Sequence, residues 1–356
     1  MMNLKTQGFV LLDVDVVALN NAGKNNKSNF DNAVATKKIT KNGKSYVYVS
    51  GQAWRYWWRE SLQKNMGWEM SPIIRDNKIA YTEANPIKYA DDDVFGYMRA
   101  ATEKVTDDKG KTKSTNITVT RISPLKNSAI ISVASVIPAE NWSSMSRQEG
   151  DAVPYSKQEY SAVMKGMFSL DLNMVGAFSN YNKTGYVNLS EQLKKEAIEN
   201  GCKEIEDSYV KTSDGNPAKL ICLSKDIRLK RIKDSISALK YISGGAMQTN
   251  NMGDVTPKFI ILATTKTGNH PFSNAIKTTG AFDEQYELNA NGILETINDY
   301  KETFVGKIYI GARNGFFDED LQRLKMLIEE HLDFVEFYPV NEAIDKYCEQ
   351  LTTQVE

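Results

Sequence analysis

The run GFVLLDVDVVAL at residues 8–19 constrains the fold of this chain more than any other stretch. Val10, Leu12, Val14, Val16 and Ala18 alternate onto one face of a strand, while Asp13 and Asp15 share the other. Such a strand needs an apolar cover. Asn42-Gly43 in KKITKNGKSYVYV then signals a tight turn between two short strands, and Ser50 is placed to cap the helix that follows. Wound at about 100° per residue, residues 50–63 put Trp54, Trp57, Trp58, Ser61 and Leu62 on one face, the spacing of a buried stripe. Arg55 and Arg59 fall one turn apart at the edge of that face, with Gln52 beside them. Like charges so placed repel unless an anion or an acid lies between them. The free N–H groups and dipole of a first helical turn attract anions. From the residues alone the pair is either solvated or a phosphate clamp.

The rest of the chain mixes strands, hairpins and helices, which implies an α+β sheet with helices on one face. KDIRLKRIKDSISALKYI (225–242) is an amphipathic helix with Leu229, Ile232, Ile236 and Leu239 as its buried stripe, ending before Gly244-Gly245. The chain closes as strand (FVGKIYIGA), helix (318–331), strand (DFVEFYP) and helix. Residues 102–116 form a polar low-complexity stretch, expected to be a moving loop. Residues 139–160 show neither a helical nor a strand period, and irregular segments of that length inside a domain are functional or disordered. With no repeats and no linker-like tracts, the expectation is one domain over residues 1–356 with large insertions.

The formal net charge of −1 conceals a split. Residues 281–356 carry 17 Asp and Glu against 6 Lys and Arg, a net of −11, and the remainder carries +10. That pattern suits a nucleic-acid binder that stacks head to tail on copies of itself, although uneven surface charge gives the same count. Cys202, Cys222 and Cys348 are scattered and odd in number, as in a reducing cytoplasm, so no structural zinc is expected. Neither a signal peptide nor an apolar run long enough to span a membrane is read. With only His270 and His331, neither beside a nucleophile pattern, no histidine-based catalysis is expected. An enzyme reading would rest on Asp13 and Asp15 holding a divalent metal for RNA cleavage, but no third ligand has the spacing.

VSGQAWRYWWRESL resembles the Ser-x-Gln-x-x-Arg/Lys-x-x-x-Arg/Lys helix of CRISPR-associated backbone subunits of the RAMP superfamily, in particular the DevR-type branch of type I-B systems. DDDVFGYM (91–98), VPYSKQEYSAVMKGMFSLDLNMVGAF (153–178) and ALKYISGGAMQTNNMGDVTPKFIIL (238–262) are similar to further blocks of that family, in the same order. The resemblance implies a modified RRM-like (ferredoxin-like) palm, with a finger-like insertion over 65–116 and a thumb-like one over 139–160. It implies a non-catalytic, cytoplasmic subunit without cofactor or metal. Such a subunit polymerises along CRISPR RNA in a Cascade surveillance complex of antiviral defence. Its partners would be that RNA, the target DNA strand, copies of itself and other Cascade subunits. Carried over position by position, Ser50, Gln52, Arg55 and Arg59 take the RNA-backbone role. Lys24 and Lys27 approach phosphate after the first strand, and Gly245, Ala246 and Gln248 form a loop beside the RNA. Trp142 and Tyr155 fall in the thumb. The aromatic pattern with which an RRM sheet stacks bases is missing, so binding is expected at the helix start and the loops.

Overall fold

The first strand, Lys5–Val17, is paired on both sides, antiparallel to a long strand, Val153–Asp171, and to Phe259–Thr265. The structure is a computed structural model describing residues 3–24, 33–76, 79–106, 112–145, 147, 149–181, 183, 185–280 and 285–355. Across the main sheet the strands run Val335–Pro339, Ile308–Ala312, Phe259–Thr265, Lys5–Val17, Val153–Asp171, Ile130–Ser132, Lys44–Val49 and Lys38–Lys41. Neighbours along this path are antiparallel except Ile308–Ala312 and Val335–Pro339, which are parallel and joined through a helix. The described helices are α1 (Gly51–Met66), α2 (Ala90–Phe95), α3 (Glu191–Glu199), α4 (Lys225–Ser237), α5 (Gln248–Asn251), α6 (Ala290–Asp299), α7 (Asp318–His331) and α8 (Val340–Gln354).

Helices cover both faces of this sheet, not one. On the first face Val10, Leu12, Val14, Met164 and Phe168 pack with the tryptophans of α1, Ile232 and Ile236 of α4, and Ile344 and Leu351 of α8. On the second, Phe9 and Leu11 pack with Ile261, with Ile293 and Ile297 of α6, and with Leu324 and Ile328 of α7. The reason lies in the first strand. Residues 9–12 are continuously apolar, as a strand buried on both faces must be, and alternation begins only at the exposed Asp13. Alternation also ends early. Between Val14 and Val17 the register with the long strand shifts, and Val16 takes a left-handed φ of 45° and lies 53% exposed. This bulge turns Val16 out and Val17 in.

The local signals around α1 operate as the sequence predicts. Asn42 and Gly43 both adopt positive φ (48° and 76°) and join Lys38–Lys41 to Lys44–Val49. The Ser50 hydroxyl accepts from the Ala53 amide at 3.3 Å, and Trp54, Trp57, Trp58, Ser61 and Leu62 are the buried residues of the helix. Trp58 donates its indole N–H to the Ser235 carbonyl at 2.7 Å, joining α1 to α4.

Three stretches differ from expectation. Residues 102–116 are not a loop: Tyr97–Thr106 pairs antiparallel with Thr112–Arg121 in a long hairpin whose tip, 107–111, lies outside the described residues. Residues 139–160 are not irregular: Ala139–Met145 pairs with the start of the long strand, from Val153 to Glu159. Ala139–Met145 buries neither face and so carries no apolar alternation, and its pairing rests on backbone hydrogen bonds that sequence pattern does not show. The 225–242 helix stops at Ser237 and tightens into a 3-10 turn over Ala238–Tyr241.

Candidate nucleic-acid interface

The polar stretch after the first strand folds back as two short strands, Asn21–Lys24 and Ala33–Thr36. Ala33–Thr36 in turn runs parallel to the long strand at Ser156 and Lys157. With Ala139–Met145 on the far side, these strands form one projecting sheet that carries Lys24, Trp142 and Tyr155. Lys24 is exposed, and Lys27 lies outside the described residues. Trp142 stands opposite Ser156, whereas Tyr155 stands opposite Ser143. The two aromatics therefore point to opposite faces of the hairpin. Trp142 is 70% exposed and Tyr155 half-buried.

The glycine loop is fixed at the base of that hairpin. A Cβ on Gly244 would lie 2.2 Å from the Trp57 ring, so only glycine lets the loop rest on the indole. Gly245 has φ of 114° and abuts Leu19. The Ala246 amide donates to the Leu19 carbonyl at 3.0 Å. The Gln248 side chain donates to the Gly244 carbonyl and, at 2.9 Å, to that of Gly253. Thus Gln248 closes the loop on itself. Asn251 donates to the Val16 carbonyl at 2.9 Å and to Glu159 at 2.8 Å, and Glu159 also accepts from Asn141 at 2.9 Å and Lys157 at 2.7 Å. The end of the first strand, the loop and the hairpin base thereby meet at one carboxylate.

Burial pushes the Glu159 carboxyl up, but hydrogen bonds from Lys157, Asn141 and Asn251 more than reverse this and hold it below its ordinary 4.5. A depressed folded value stabilises the native state above the unfolded value, and that stabilisation is lost as pH falls through the folded one. Acidification below about pH 4.5 is therefore expected to reduce amide-exchange protection in Ala139–Met145 before the main sheet opens. Glu159→Gln should remove that pH dependence. A hairpin whose protection is flat with pH in the native chain would show that the carboxylate does not hold it.

Arg55 and Arg59 are placed elsewhere, in the joint between α1 and α2. The Arg55 guanidinium donates to the carbonyls of Leu125 (2.6 Å) and Phe95 (2.7 Å), to Ser123 Oγ (2.9 Å) and to Asn127 Oδ1 (3.2 Å). Burial first and the Arg59 charge second push it down to about 10. Arg59 lies 4.2 Å over the Phe95 ring, and burial, which lowers its pKa, is partly offset by Asp91 and Asp92. Acid thus acts on the Arg59 side of the pair, whereas the acceptors around Arg55 are neutral. Both arginines join the start of α1 to the DDDVF turn through Phe95. Ser50 is likewise engaged as the cap, while Gln52 is exposed.

Sequence reasoning also missed a buried charge cluster behind this joint. Asp93, fully buried, receives Arg121 at one carboxylate oxygen and Arg231 at the other (2.7 Å), with the Gly176 amide at 2.9 Å. The signal was present as three consecutive aspartates followed by an apolar pair, an unlikely surface pattern for a six-residue helix. At the opposite edge Asp15 accepts from Ser161 at 2.5 Å. Burial raises the Asp13 carboxyl, Lys258 offsets this, and Asp15 adds to the rise. Among the described residues no three His, Cys, Asp or Glu side chains are grouped to hold a metal, and no helix is long and apolar enough to cross a membrane.

An α+β sheet with a glycine loop and a projecting hairpin at one end describes a class of architectures. The sequence identifies the family. The profile described as CRISPR-associated negative auto-regulator DevR/Csa2 matches residues 12–287, and the chain belongs to that family. Two solved chains are similar at 10% identity and a TM-score of 0.49: one from a CRISPR RNA-guided surveillance complex, over 98% of this chain and 99% of that one, and one from such a complex in a pre-nicking state, over 97% and 99%. Comparison with curated proteins gave no match.

Proposed function

We propose that this chain is an RNA-binding backbone subunit of a type I, DevR-branch CRISPR surveillance complex, lining CRISPR RNA together with copies of itself and the other subunits and leaving the target strand to pair with the guide. The observation that carries this reading is membership of the DevR/Csa2 family over residues 12–287. Strand order supports the palm: Phe259–Thr265, Lys5–Val17, Val153–Asp171, Ile130–Ser132, with α1 and α4 on one face, is the 4-1-3-2 order of a ferredoxin-like β-α-β-β-α-β unit. On this reading the hairpin Ile73–Thr82 and the hairpin Tyr97–Arg121, which runs just past 65–116, are the finger, and the hairpin within 139–160 is the thumb. The second sheet face, which an RRM uses for stacking, lies under α6 and α7, so RNA must be held at the sheet end where Lys24, Gly245, Ala246, Gln248 and the thumb meet. The subunit is non-catalytic, cytoplasmic and free of cofactors in this proposal.

Labelled single-stranded RNA titrated with the chain from 50 to 200 mM salt tests it. The account expects affinity to fall with salt by about 0.7 log units per phosphate neutralised. Lys24→Ala should flatten that slope by about one such contact. RNA should stay intact through long incubation with Mg²⁺ or Mn²⁺. Salt-independent or absent binding would overturn the proposal, and cleavage would restore an enzymatic role for Asp13 and Asp15.

A further inference from the structure

Two tyrosines that no core cluster absorbs face one cleft. Tyr56 stands on the outer side of α1 and Tyr241 at the end of the 3-10 turn after α4, 59% and 50% exposed. Between them lies a cleft of about 340 Å³, shared by α1 and the glycine loop. Its floor has no side chains at Gly244 and Gly245, because the loop rests on the Trp57 indole and on Leu19. Its edge carries Glu60 and Lys64, bonded to each other at 2.9 Å, and the Gln248 side chain, whose N–H groups are taken by the Gly244 and Gly253 carbonyls. A flat backbone floor, aromatic side chains at the walls and paired donors and acceptors at the edge suit a planar, polar-edged, uncharged ligand. They do not suit a phosphate, since Glu60 already answers Lys64, and Lys240, near the Tyr241 ring, is bonded to Asp345. Exposed single aromatics need no explanation, but two sharing one cleft do.

We propose that this cleft takes one unstacked nucleobase of the bound RNA against Tyr56 and Tyr241, a contact that adds affinity without adding salt dependence. The inference rests on the RNA-binding reading above and names a contact that reading does not require. The test compares the full chain with Tyr56→Ala/Tyr241→Ala and with Tyr56→Phe/Tyr241→Phe, using a short adenosine oligoribonucleotide and its abasic counterpart as probes. Both side chains are exposed, so thermal unfolding of the variants should match the native chain. The alanine pair should weaken binding of the oligonucleotide by about 5- to 100-fold, the size of a base–aromatic stacking contact, with the salt slope unchanged. The phenylalanine pair should bind as the native chain does, and the abasic probe should not distinguish the three proteins. Native-like binding by the alanine pair, or an equal loss with the abasic probe, overturns the cleft assignment while leaving RNA binding standing. If the native chain binds neither probe, the RNA reading fails and this inference with it.

Discussion

Asp93→Asn should be the most damaging conservative substitution in the molecule, lowering unfolding free energy by about 3–5 kcal/mol, the cost of breaking a buried ion pair from one side. The change keeps the shape of the side chain and removes its charge. Arg121 and Arg231 then remain buried, facing one another across a neutral amide. Neither can leave easily. Arg121 also donates to the carbonyls of Ala177 (3.0 Å) and Met174 (2.6 Å), and Arg231 to those of Pro86 (2.7 Å) and Ile87 (2.9 Å). For the same reason a full apolar replacement of the triad, neutral in some proteins, should not rescue this one, because it takes their donors from these carbonyls and from that of Asp93. Urea unfolding measures the loss; a change under about 1 kcal/mol would mean that the arginines find other acceptors.

The triad explains why part of this fold was hidden from sequence. The Asn42-Gly43 turn, the Ser50 cap and the tryptophan stripe were legible because each is a local rule satisfied within a few residues. Arg55 shows the opposite case. Its spacing from Arg59 left solvent and phosphate both open, and the neutral acceptors it meets, on Leu125, Phe95 and Asn127, lie far away in sequence. The projecting hairpins were illegible for another reason, since Trp142 and its neighbours on Ala139–Met145 bury no face and leave no apolar period. The glycine loop lay between these extremes. Gly244-Gly245 were visible as a helix stop, whereas the contact that demands glycine, the indole of Trp57, was not.

Trp57→Ala is the second large effect, expected to cost about 3–5 kcal/mol, as for a deleted core aromatic. Trp57 is buried in the first-face core and also supports Gly244, so its loss opens a cavity beneath the loop. Thermal unfolding should show the stability loss. Amide exchange should rise locally across residues 244–253 even under conditions where the rest of the chain stays folded. A Trp57→Phe variant, which keeps a ring beneath the loop, should recover much of both. Loss of stability without extra exchange in the loop would show that the loop is held by Leu19, Gln248 and Asn251 alone.

The central claim is that this family member holds CRISPR RNA, and the most direct measurement is to purify the chain with the other products of its native operon and sequence the RNA that accompanies it. The account predicts discrete RNA species carrying CRISPR repeat sequence, protected at regular intervals along the guide, with Lys24→Ala reducing the yield of bound RNA. Recovery of the assembled protein with no RNA, or with fragments unrelated to the repeats, would contradict it.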